Sequence, residues 1–180
     1  MKNDYDVRHL HVAAFARAAG QLVGEERLAR FDRLMDESKG LGGELPVRFT
    51  VHGDIRPDAA GADAVWLRLS AEADVPMTCQ RCLGPVDVAL AFARDYRFVA
   101  TEAQAEVEDE TSEEDVLAIS RDFNVLELIE DELLMELPPV PKHATCPHSV
   151  KFQAVDSDYV EEVPEKINPF AVLGRLKNGQ

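Results

Sequence analysis

Apolar residues recur at every second position through the middle of this chain. Val65, Leu67, Leu69, Ala71, Ala73 and Val75 alternate with Arg68, Ser70, Glu72 and Asp74. Leu45, Val47, Phe49, Val51 and Ile55 do the same before it, and Val86, Val88, Leu90, Phe92, Tyr96 and Phe98 after it. Successive side chains of a strand point to opposite faces, so this alternation marks strands with one face buried. Three such runs with short connections predict an antiparallel meander.

The period changes on either side of these runs. Val12–Ala19 predicts a short helix that ends at Gly20. A second helix is expected from about Glu25, carrying Leu28, Phe31, Leu34 and Met35 on one face, with Glu25 and Glu26 where the helix dipole favours acids. Residues 125–137 predict a further helix. Leu126, Ile129, Leu133 and Leu137 form its apolar stripe, Asn124 can cap it, and Glu127 stands three residues later as in a capping box. Pro138, Pro139 and Pro141 stop it. A short run at Val116–Ile119 returns to the sheet. The expected fold class is α+β: a small antiparallel meander packed with an N-terminal helical pair and the helix at 125–137, all within a single domain spanning 1–180.

Two segments break the pattern. Residues 101–115 hold Glu102, Glu106, Glu108, Asp109, Glu110, Glu113, Glu114 and Asp115 with no Lys or Arg among them. A block of like charge predicts a mobile loop, with docking of a basic partner as the functional alternative. Residues 151–166 are polar and weakly patterned, and predict an extended segment. The ending NPFAVLGRLK is apolar again, and Phe170, Val172, Leu173 and Leu176 predict one or two turns of helix.

Charge narrows the function. The chain has 180 residues, with 34 acidic against 19 basic and a formal net charge of −15. An acidic surface repels phosphate, which excludes broad non-specific nucleic-acid binding and leaves room for basic partners. RNA contact, if made, needs a local patch. Arg68, Arg81, Arg94 and Arg97 are the candidates, expected to cluster on one sheet surface around the second and third strands. Glu130, Asp131 and Glu136 on the 125–137 helix are the candidates for meeting a basic protein, against the plainer reading of a solvated helix face. No apolar run is long enough to span a bilayer and no signal-like stretch opens the chain, so a cytoplasmic location is expected.

Cysteine placement carries the most chemistry. Cys79 and Cys82 form a C-x-x-C at the turn between two predicted strands, and Cys146 lies beyond the helix with His143 three residues before it. Cys79, Cys82, His143 and Cys146 are the inventory of one four-ligand zinc site. Two other readings stand beside it: free thiols in a reducing compartment, and a thiol oxidoreductase using Cys79 and Cys82. The last wants its C-x-x-C at a helix N-terminus, and here a Gly84–Pro85 turn follows instead. There is no G-x-S-x-G, phosphate-binding glycine loop or H-E-x-x-H, so neither an enzyme nor a small-molecule substrate is expected.

The blocks TCQRCLGPV, LELIEDELLMELPPVPKHATC and NPFAVLGRLK, in this order and spacing, resemble the YceD family, named for accumulation of large-subunit ribosomal RNA. Cys79, Arg81, Cys82, Leu83, Pro85, Glu130, Glu132, Leu137, Pro138, Pro141, His143 and Cys146 match its recurring blocks. The resemblance implies a non-enzymatic role in ribosome biogenesis, supporting synthesis, processing or accumulation of that RNA. The expected partner is pre-ribosomal large-subunit RNA or a large-subunit ribosomal protein; the alternatives are the thiol oxidoreductase above and, from the charge, an acidic carrier for a basic ribosomal protein.

Overall fold

The computed structural model describes residues 5–58 and 61–147, which fall within one compact unit; the predicted segment 151–166 and the NPFAVLGRLK helix lie outside these residues. The order of elements is helix α1 (Val12–Arg17), strand β1 (Gln21–Arg27), helix α2 (Asp32–Glu37), strands β2 (Pro46–Pro57), β3 (Asp63–Thr78) and β4 (Pro85–Val99), helix α3 (Glu102–Asp109), strand β5 (Asp115–Ala118) and helix α4 (Val125–Met135). The five strands form one sheet in sequence order, antiparallel except for the parallel β4–β5 pair. The fold is α+β, and β2, β3 and β4 are the meander that the alternation predicts.

Register fixes the two faces. Val51 stands opposite Leu69, Leu69 opposite Arg94, and Leu67 opposite Tyr96. The face carrying Val47, Phe49, Val51, Leu67, Leu69, Leu90 and Phe92 packs in one core with Phe15 of α1, Leu34 of α2 and Ile129 and Leu133 of α4. Gly20 and Gly53 make room for Phe15, since a Cβ at either position would run into its ring. The opposite face is open over most of its width. At one end it carries a small second cluster of Val99, Ala105 and Val116, brought by α3 and β5. Among the described residues no helix is long and apolar enough to cross a membrane.

Three expectations change. The second helix does not begin near Glu25. Gln21–Arg27 is an edge strand paired with β2, and the helix starts at Asp32 after a 3₁₀ turn at Leu28–Arg30. Leu28, Phe31 and Leu34 are buried as expected, but from a turn and a later helix. The segment 101–115 is not a loop throughout: it holds α3, capped by the Thr101 hydroxyl accepting from the Gln104 N–H at 3.2 Å, and ends in β5. The missing counter-charge is Arg97 on the preceding strand, whose guanidinium reaches Glu108 at 2.6 Å and Glu114 at 2.8 Å.

The third change concerns the 125–137 helix. Asn124 caps it as predicted, accepting from the Leu126 N–H at 3.2 Å. Its acidic side is exposed at Glu127, Asp131 and Glu136 as expected, whereas Glu130 and Glu132 are each only 8% exposed. Glu130 Oε1 accepts from the Arg33 and Leu34 backbone N–H groups at 2.8 and 3.3 Å, and Oε2 accepts from the Arg33 guanidinium. Phe31, at the N-cap of α2, has no side chain able to satisfy those amides. A carboxylate nearly a hundred residues away therefore caps α2. Glu130→Ala is expected to cost about 2 kcal/mol in denaturant unfolding, since it leaves two helix amides without an acceptor.

Candidate metal centre

The turn joining β3 to β4 is built by its own backbone. The Cys79 N–H donates to the Gly84 carbonyl at 2.8 Å, and the Leu83 N–H donates to the Cys79 carbonyl at 2.9 Å. Leu83 takes a left-handed conformation, φ 59°, to complete the turn. Both cysteine side chains are thereby directed toward the segment that leaves α4. That segment is tied in turn, because the Gln80 N–H donates to the Pro141 carbonyl at 2.8 Å. The prolines that stop α4 send the chain back across the sheet end, where His143 and Cys146 meet the turn.

The four predicted ligands converge. Their donor atoms all lie within 4.8 Å of one another, the one such group of ligating side chains among the described residues. Cys79 Sγ is 4.0 Å from Cys146 Sγ, and Cys82 Sγ is 3.4 Å from His143 Nδ1. A disulfide needs sulfurs about 2.05 Å apart, so these cysteines are not bonded to each other. A tetrahedral ion with bonds of about 2.3 Å has ligand–ligand edges of about 3.8 Å, which this cluster matches.

The electrostatics favour a cation. Cys79 is fully buried. Burial pushes its thiol up, but the backbone N–H groups of Cys82, His143 and Arg81, with the Cys82 side chain, outweigh that and bring it from 9.0 to about 5. Burial pushes Cys146 up, and the neighbouring sulfurs of Cys82 and Cys79 push it the same way. One thiolate is stabilised, and further ionisation beside it is resisted. A divalent ion removes that resistance, since it is bound by deprotonated sulfur. Three sulfurs and one imidazole suit zinc, and Cys79, Cys82, His143 and Cys146 are the residues that would hold it.

The predicted arginines do not form one patch. Residues three apart on a strand face opposite ways, so Arg94 and Arg97 lie on different faces. Arg94 points to the helix-bearing face, with Nε 2.9 Å from Glu132 and further guanidinium nitrogens at 3.5 Å from Glu136 and 3.8 Å from Asp115. Arg97 points to the other face, and its side chain is only 7% exposed beneath Glu108, Glu114 and Ser112. Neither is free for phosphate. Arg68 is exposed, with Asp95 at 3.9 Å. Arg81 alone of the four has no carboxylate in ion-pair range among the described residues, and it sits exposed on the C-x-x-C turn.

The predicted acidic surface on α4 is likewise taken up within the fold. Glu130 and Asp131 are held by Arg33, and Glu136 by Arg94. Sequence reasoning missed the amides that cradle Cys79, and it missed Lys142, exposed beside His143. The absence of any acid near Lys142 in sequence was the available signal.

Comparison with known proteins agrees with the geometry. The family profile described as large ribosomal RNA subunit accumulation protein YceD matches residues 67–177, a span that includes Cys79, Cys82, His143 and Cys146. A curated protein of that name from Haemophilus influenzae is 35% identical over 115 residues, covering 63% of this chain and 66% of that protein, just under two thirds of its length. No solved structure matches. With the family profile spanning more than half of its residues, this chain belongs to the YceD family of large ribosomal RNA subunit accumulation proteins.

Proposed function

We propose that this protein is a non-enzymatic, cytoplasmic factor that supports accumulation of large-subunit ribosomal RNA, acting by binding, with its fold stapled by one zinc ion. The family match over residues 67–177 carries the reading. The site geometry supports the structural role of the metal. All four ligand positions come from protein side chains, which is the closed set of a structural centre rather than the open set of a catalytic one. An odd cysteine count supports a reducing compartment.

A thiol oxidoreductase is the weaker reading. Such enzymes expose a thiolate at a helix N-terminus, whereas Cys79 is buried in a turn between strands and shares its surroundings with two further ligands. The acidic-carrier reading loses its proposed α4 surface to Arg33 and Arg94. Depletion of the protein in cells tests the proposal. The ratio of large- to small-subunit ribosomal RNA is expected to fall, with recovery on re-expression. An unchanged ratio would remove the proposal.

A further inference from the structure

Half of the arginines and lysines among the described residues are paired with carboxylates within the fold. Arg33, Arg48, Arg56, Arg68, Arg94 and Arg97 all have carboxylates within 4.0 Å. About one residue in five is acidic along the chain, 34 of 180, yet neither 79–86 nor 137–147 contains an Asp or Glu. These are the two segments that the four ligands join. Both carry an exposed cation, Arg81 and Lys142, and the Gln80–Pro141 hydrogen bond sets their neighbours side by side. Of the acids that flank the two segments, Glu136 is held by Arg94, and Asp87 stands exposed just beyond Val86.

Exposed apolar side chains share this surface. Leu83 is 75% exposed and Val140 55%. Leu83 stands at a left-handed position that favours glycine, so an exposed leucine there strains the backbone and buries almost nothing. Stability does not explain that choice, and contact with a partner does. Three thiolates on a divalent ion leave one net negative charge beneath the surface. Arg81 and Lys142 outweigh it.

We infer that the outer surface of the metal knuckle, Arg81, Leu83, Val140 and Lys142, is the protein's contact with single-stranded or looped RNA. The inference rests on the ribosomal-RNA reading above. On a chain of net charge −15 a polyanion is repelled everywhere carboxylates stand free, and this acid-poor stretch, where two cations stand beside exposed Leu83 and Val140, is a place where it can land. The cations take phosphates, and Leu83 and Val140 meet the apolar faces of unstacked bases. The metal fixes the two segments against each other, so it holds the surface together without touching the RNA.

The test is filter binding of the full-length, metal-loaded protein to large-subunit ribosomal RNA freed of protein, between about 50 and 200 mM salt. R81A/K142A is expected to bind about tenfold more weakly at ~0.1 M salt, with a salt slope flatter by about 1.4, while keeping its metal. The control pair R17A/R27A, also exposed cations, is expected to bind as the unaltered protein does. Leu83→Gly separates contact from stability: it is expected to raise Tm by about 2 °C and to weaken binding several-fold. Equal weakening by both double variants would show diffuse charge and overturn the inference, as would unaltered binding by R81A/K142A. If the protein binds no free RNA, yet needs Arg81 and Lys142 to associate with assembling subunits, the surface meets a protein and the RNA assignment is wrong. The depletion experiment is independent of all these outcomes, so either claim can fail alone.

Discussion

Cys79→Ser is expected to release the metal and to lower Tm by on the order of 10 °C. The turn from Cys79 to Gly84 and the segment from Pro138 to Cys146 have few other ties to the fold. Between them runs the single backbone hydrogen bond from Gln80 to Pro141. The metal would join β3 and β4 to the exit of α4 at one point, and its loss frees the segment. Cys146→Ser should behave alike, because it removes a ligand from the other side of the cluster. Chelation of the unaltered protein should bring it to the same Tm as Cys79→Ser. A variant that loses metal but keeps its Tm would show that the site holds an ion without stapling the fold.

Arg97→Ala is expected to destabilise the protein by about 2–3 kcal/mol in denaturant unfolding, with most of the loss at α3 and β5. Breaking a buried ion pair by removing one partner costs about 3–5 kcal/mol. Here Glu108 and Glu114 are about a third exposed and can turn to water, which lowers the figure. Three acceptors, Glu108, Glu114 and Ser112, are held by this one guanidinium. Without it α3 keeps Ala105 against Val99 and Val116, and the Asp109 carboxylate accepting from the Val116 N–H at 2.9 Å, little to hold an acidic helix on the sheet. Hydrogen exchange of the α3 and β5 amides should rise before that of β3. A surface arginine would give less than about 0.5 kcal/mol, and that result would return Arg97 to the list of free cations.

Both results bear on what a sequence can disclose. The meander was legible because Leu67, Leu69, Ala71 and Ala73 report burial on one face directly through period two. The convergence of Cys79, Cys82, His143 and Cys146 was legible because a metal site demands few residue types, and the spacing of Cys79–Cys82 and His143–Cys146 restricts them further. Strand β1 was not. Of its residues only Leu22 is buried, and Glu25 and Glu26 imitate the start of a helix. The acidic segment misled for a different reason. Two of its eight carboxylates, Glu108 and Glu114, are paired from outside by Arg97, and window composition cannot see across a turn. The same holds for α4. Glu130 reads as solvent-facing, yet its partner Arg33 comes from a distant element. The arginine patch failed on a point that was available: positions 94 and 97 have opposite parity and cannot share a strand face. Ion pairs formed between elements are tertiary facts, and they decided which charges remain free.

The central claim is that Cys79, Cys82, His143 and Cys146 hold one zinc ion. X-ray absorption at the zinc edge, on full-length protein purified without added metal, tests it most directly. One equivalent of zinc, with three sulfur neighbours at about 2.3 Å and one nitrogen at about 2.0–2.1 Å, is the predicted result. Protein without zinc, or zinc surrounded by oxygen and nitrogen alone, would contradict it.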